Sequence, residues 1–246
     1  MSDPNRTSQS TRHATGPAGA AARTPAAAVA PATRHPLAAA YRLLITVAAL
    51  TGLVLEAVAT PDAARLLASF TVQANIAAAL VSAASAHRAW TGRHPLSPGL
   101  TGATLSFLTL AAVLHHALPA TPTTAFALPR PTPGTPAHSL APLLLATLTP
   151  FAALADWLLL TTPRGFRPCH AWQWPAYPLL YLAIALAFPT PPGTHPVNVT
   201  TTLPTTLTIA LASCLLPVIT IAIDQVRPSP RLPGNRISPT GIGPLK

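Results

Sequence analysis

The sequence predicts an all-α, polytopic membrane protein, a bundle of six transmembrane helices with disordered tails. Half of the 246 residues are hydrophobic and only 8% are charged, whereas soluble domains carry roughly 25% charged residues. Mean hydropathy is +0.42. Apolar runs recur at about 38–59, 66–86, 99–118, 140–161, 173–188 and 205–225, and a spanning helix needs about 20 such residues.

The first run is too long for a signal-peptide core and follows a long polar tail, so it reads as a span rather than a cleaved leader. The second holds the most informative stretch, Ser69-Phe70-Thr71-Val72-Gln73-Ala74-Asn75. It puts four polar side chains into an apolar run, where polar groups are costly and are kept for a partner or a task. The third run ends in His115-His116. The fourth carries Pro142 and Pro150, the fifth Pro178 and the sixth Pro217, all tolerable in membrane helices as kinks. The fifth is short and opens Trp172-Gln173-Trp174-Pro175, with the Trp residues suited to an interface and Pro175 to a first helical turn.

Composition predicts disordered tails at 1–37 and 227–246 around a membrane domain at 38–226. It also predicts an extended outer loop at 119–139, which carries six prolines. Asn198-Val199-Thr200 matches a glycosylation sequon by chance. Cys169 falls in a loop and Cys214 in a helix, so a disulfide is not expected, and no metal-ligand spacing occurs. No cofactor-binding motif is present. Arg outnumbers Lys 14 to 1, a bias suggesting a bacterial, GC-rich source.

Charge sets the direction. The N-terminal segment through Arg42, the loops holding Arg88, Arg93, Arg164 and Arg167, and the C-terminal tail carry 13 of the 15 basic residues. Arg65 and Arg130 alone fall on the other side. The positive-inside rule then puts both termini in the cytoplasm and the chain in the plasma membrane. The net charge of +10 is explained by this topology. A nucleic-acid partner is not expected, because the arginines are scattered between apolar runs rather than gathered on a folded basic face. The expected partners are membrane lipids.

Orientation assigns depth. Glu56, the polar residues of the second span, His115, His116, Thr147 and Thr149 fall toward the outer side. At the inner end, Asp156 is expected to pair with loop Arg164 or Arg167. Trp172, Trp174 and Tyr177 are expected to form an aromatic belt, and Asp224 to lie at the interface. Thr71 and Asn75 share a helix face, while Gln73 points elsewhere. Such residues often serve as hydrogen-bonding glue between membrane helices. A chemical reading stands beside that one. A Thr hydroxyl becomes a nucleophile when a His takes its proton, and Asn75 or Gln73 could donate to an oxyanion.

Several segments in order resemble one family. They are Phe70-Thr71-Val72-Gln73-Ala74-Asn75, Pro150 with Asp156-Trp157-Leu158-Leu159, and Pro163-Arg164-Gly165. Trp174-Pro175-Ala176-Tyr177-Pro178-Leu179-Leu180-Tyr181 and Ala222-Ile223-Asp224 complete the set. The set resembles the bacterial six-helix relatives of the androgen-induced and androgen-dependent membrane hydrolases, over about residues 38–226. The resemblance implies a six-helix bundle and hydrolysis of fatty acid esters of hydroxy fatty acids by an intramembrane Thr with a His. The Thr position is Thr71. The His position, counted from Pro150, is Ala146. His138 lies eight residues upstream, so His115 and His116 are the expected substitute bases, with Gln73, Asn75 and Glu56 as substrate contacts. Three functions follow: a lipid-ester hydrolase, a non-catalytic lipid-binding or structural member, and a transporter or channel subunit. Interrupted helices near the midplane would favour the last.

Overall fold

The computed structural model describes residues 34–60, 63–117, 140–187 and 199–228, the side chains of Arg65 and of 199–202 excepted. The tail, outer-loop and sequon readings, and His138, lie outside these residues. All secondary structure among the described residues is helical. We number the helices α1 (Pro36–Ala59), α2 (Ala63–Ala68), α3 (Phe70–Thr91), α4 (Pro98–Ala117), α5 (Leu140–Leu160), α6 (His170–Ala187) and α7 (Val199–Val226). Within α5, Leu143–Leu148 is a π-helix. The helices α1, α4, α5 and the Leu203–Val226 part of α7 are long and apolar enough to cross a membrane, so the chain has the character of a membrane protein.

Two runs differ from expectation. The run at 66–86 is interrupted: Ser69 is extended (φ −71°, ψ 125°) and separates α2 from α3, which continues to Thr91. The run at 173–188 starts at His170, so Pro175 stands inside α6 rather than in its first turn.

Helix α1 packs along α3, α6 along α7, and α4 touches α3, α5, α6 and α7. One core cluster gathers Phe70, Ala74 and Ala78 of α3 with Leu108, Leu110, Ala111 and Leu114 of α4. A second joins Leu105, Trp157, Phe166, Trp174 and Ile221. Large apolar residues on every long helix remain exposed, among them Leu44, Phe151, Leu180 and Leu211. A lipid-facing surface has this composition.

The end of the bundle that holds Asp224 is closed by a latch. Asp224 is buried. Its carboxylate accepts the Phe166 N–H at 3.0 Å and Arg227 at 3.1 Å, which compensates a charge that burial alone would not tolerate. Arg227 also donates to Leu158 O and Thr161 O, both at 2.8 Å. These are carbonyls that the end of α5 leaves without helical donors. The Arg227 guanidinium lies 5.3 Å over the Trp157 ring, within cation–π range.

One member of the expected aromatic belt, Trp174, is drawn inward. Trp174 is buried, with its ring against Phe166 (5.1 Å, edge-on) and His170 (5.0 Å, stacked). Only the absence of a side chain at Gly102 admits it, because a Cβ there would fall 2.3 Å from the Trp174 ring. Tyr177 packs on Phe107 and Phe70, since seven residues of helix lift it about 10 Å above His170. Trp172 is exposed.

Gly102→Ala therefore overpacks this end. Overpacking costs about 1–3 kcal/mol, and the purified protein should melt at least about 3 °C lower. A melting temperature equal to that of the parent would show that Trp174 can move aside freely.

Candidate functional site

The polar stretch of α3 faces two distortions of the backbone, and the side chains of Gln73 and Asn75 are committed to them. The first distortion is the break at Ser69. Ending α2 there leaves carbonyls without helical donors. The Gln73 amide donates to Leu67 O at 2.7 Å, and the Tyr181 hydroxyl of α6 donates to Ala68 O. The Tyr177 hydroxyl donates to the other end of Gln73. Phe70, the first residue of α3, is fully buried between Phe107, Tyr177 and Tyr181.

The second distortion is the π-helix in α5. Pro150 has no N–H, and its ring would clash with a carbonyl four residues back in a regular helix. The chain instead widens, and the Thr149 N–H reaches Leu144 O, five residues back. The next rung would run from residue 150 to Leu145 O, and proline cannot make it. Asn75 makes it from α3: its Nδ2 donates to Leu145 O at 3.0 Å and to Thr71 O at 2.9 Å. Both amide hydrogens are thereby used. Asn75, Thr71, Leu145, Ala146 and Thr149 are all fully buried. Asn75 Oδ1, Thr149 Oγ1 and Ser69 Oγ are buried without a hydrogen-bond partner among the described residues.

The remaining candidates spread outward from this centre. His116 Nε2 lies 3.1 Å from Thr147 Oγ1 on the π-helix, and the His115 ring meets His116 edge-on at 5.1 Å. His116 is exposed and His115 half-buried. Glu56 is buried and accepts the Thr60 hydroxyl at 3.3 Å. The structure thus joins Thr71 to Asn75, Gln73 to Tyr177 and His116 to Thr147. Asp156 pairs with Arg42, whose Nε lies 2.9 Å from Oδ1, and not with Arg164 or Arg167. Arg42 stands on the facing turn of α1, where Tyr41 also donates to Ala152 O at 3.1 Å, whereas Arg164 is turned toward Gln225 O.

The sequence reading did not pair Pro150 with Asn75, or Gln73 with Tyr177. A usable signal was present, since any helical proline orphans a carbonyl one turn earlier and an unexplained Asn nearby is a candidate donor. Among the described residues, no group of three or more His, Cys, Asp or Glu could hold a metal ion.

No family model, curated protein or solved structure matches this chain.

Asn75→Leu should destabilise the protein by about 1–2 kcal/mol, the cost of an orphaned buried carbonyl. In a Pro150→Ala background, where residue 150 regains its N–H, the same substitution should cost less than half as much. Thermal melts of the four proteins measure the coupling. Strictly additive effects would break the link between Asn75 and Pro150.

Proposed function

We propose that this chain is a multi-pass protein of the plasma membrane with six spans and both termini in the cytoplasm. On this reading it shares the fold of the lipid-ester hydrolases that it resembles, but its role is non-catalytic, in binding or organising membrane lipid. The observation that carries this reading is the complete burial of Thr71, beside an Asn75 whose amide hydrogens are both given to backbone carbonyls. A nucleophile has to bring its oxygen to within about 3–3.5 Å of a carbonyl carbon, and an oxyanion donor needs an uncommitted hydrogen. Thr71 has no exposed surface to offer a lipid ester, and the Asn75 amide has no hydrogen left for an oxyanion. Ala146, at the position where the resemblance implies a His, is fully buried as well.

A hydrolase is the second reading. It is favoured by the imidazole of His116, which lies within hydrogen-bond reach of the Thr147 hydroxyl, one residue beyond Ala146.

The purified protein, incubated with branched fatty acid esters and with a fluorophosphonate probe, should release no acid above the vesicle background and take up no label. Hydrolysis or labelling that disappears in Thr71→Ala or Thr147→Ala would overturn the non-catalytic reading and identify the nucleophile. Orientation has its own test. Green fluorescent protein fused to the C-terminus should fluoresce and alkaline phosphatase fused there should be inactive; the reverse pattern would invert the topology.

A further inference from the structure

The segment before α1 and the end of α3 meet at one corner. The His35 N–H donates to Ala89 O at 3.0 Å, which seats Arg34 beside the last turns of α3. Gly92 then turns the chain in the left-handed conformation (φ 69°). The Arg93 N–H reaches Arg88 O at 2.9 Å, and the Arg88 guanidinium donates to His94 O at 3.3 Å. Arg93 and His94 are thereby folded back over Arg88. The segments joined at this corner carry three arginines, Arg34, Arg88 and Arg93, and three histidines, His35, His87 and His94. All but the half-buried Arg88 are exposed.

Neither 34–35 nor 87–94 contains an acidic residue. Asp156 and Asp224 are each held by another arginine, Arg42 and Arg227. Trp90 stands within the corner at 61% exposure, and Leu37, the second residue of α1, is 83% exposed. Cationic groups therefore adjoin apolar side chains at the end of a helix that is apolar enough to cross a membrane.

We propose that this corner binds the phosphate of an anionic lipid headgroup in the adjoining leaflet. Guanidinium groups form charge-assisted, bidentate hydrogen bonds to phosphate. An exposed Trp is suited to headgroup depth. Clustered arginines beside a spanning helix recognise anionic lipid, with a contribution from each cation. The scattered positions of these arginines in the sequence become one patch only through the contact between His35 and Ala89. The proposal rests on the reading of the long helices as membrane-spanning, and that reading fails separately, if the parent is not recovered in the membrane fraction.

Full-length protein in detergent, offered phosphatidylglycerol and phosphatidylcholine of matched chains, is read by native mass spectrometry. The parent should retain phosphatidylglycerol preferentially. The Arg34→Gln/Arg88→Gln/Arg93→Gln variant should lose at least about tenfold of that binding. The Arg164→Gln/Arg167→Gln control, which changes charge at a different loop, should stay within about twofold. Arg93→Gln alone, at an exposed position, should weaken binding several-fold and keeps the test open if the triple variant does not fold. Equal retention of the two lipids by the parent, unchanged binding in the variants, an equal loss in the control, or a preference for short duplex DNA over phosphatidylglycerol would each overturn the proposal.

Discussion

The hydrogen bond from Asn75 to Leu145 O is the contact on which the centre of the molecule depends. Its origin is a missing hydrogen: Pro150 cannot close the rung that the π-helix presents to it, and in an apolar surrounding no water is at hand to replace it. A donor has to come from a neighbouring helix, and Asn75 of α3 supplies it at 3.0 Å. The widened turn also presents Leu145 to α1. There Gly52 leaves the room, since a Cβ would stand 2.7 Å from Leu145 Cδ2. Val72 joins Leu145 in the same core cluster, with Leu53, Leu66 and Ile76 packed against it. One proline thus fixes the register of three helices: it widens α5, claims an amide from α3 and presses a leucine into the face of α1.

The ionic groups obey the same economy of unmet bonds at the other end of α5. Asp156 and Asp224 would each be costly if left alone in low dielectric, and each is met by an arginine. Arg42 reaches Asp156 from α1. Arg227 reaches Asp224 along its own helix and continues to the last carbonyls of α5. Helix α5 is therefore held twice, by an amide near its π-segment and by guanidinium groups near its end. The basic corner formed by Arg34, Arg88 and Arg93 differs from both in having no carboxylate within its segments. The basic residues are thus spent unevenly in the structure, partly on internal carboxylates and partly on an exposed corner.

Helical class and membrane character were legible in the sequence because both follow from composition and run length, which survive the details of packing. The break at Ser69 was not legible. Nothing in Leu67-Ala68-Ser69-Phe70 forbids a helix, and the interruption is sustained by Gln73 and Tyr181, the latter more than a hundred residues away. The belt of Trp172, Trp174 and Tyr177 was only partly legible. Trp174 goes inside because Gly102 of α4 makes room for it, a complementarity between two helices that no single run reveals. Asp156 was expected to find an arginine, and it does, but sequence proximity pointed to Arg164 or Arg167 and geometry selects Arg42. For the candidate site, Thr71 and Asn75 were marked as unusual on sound grounds, the cost of polar groups in hydrocarbon. The partners of Asn75 turn out to be backbone carbonyls, which all residues share and which carry no signature in sequence.

The orphaned oxygen of Asn75 follows from the same geometry. With two carbonyls in front of it, the side chain has to present its nitrogen to both, since the reverse orientation would set oxygen against oxygen. Oδ1 is then directed into packed surroundings, where it finds no partner among the described residues. An unmet acceptor costs about 1–3 kcal/mol, but the nitrogen satisfies an orphaned carbonyl of comparable cost and adds a second bond. An aspartate could not substitute, because it would bring charge and no hydrogens. A leucine would leave Leu145 O unmet. The polar character of this position is therefore imposed by Pro150 on the neighbouring helix. In three dimensions the Asn75 amide stands in for the missing N–H of a proline.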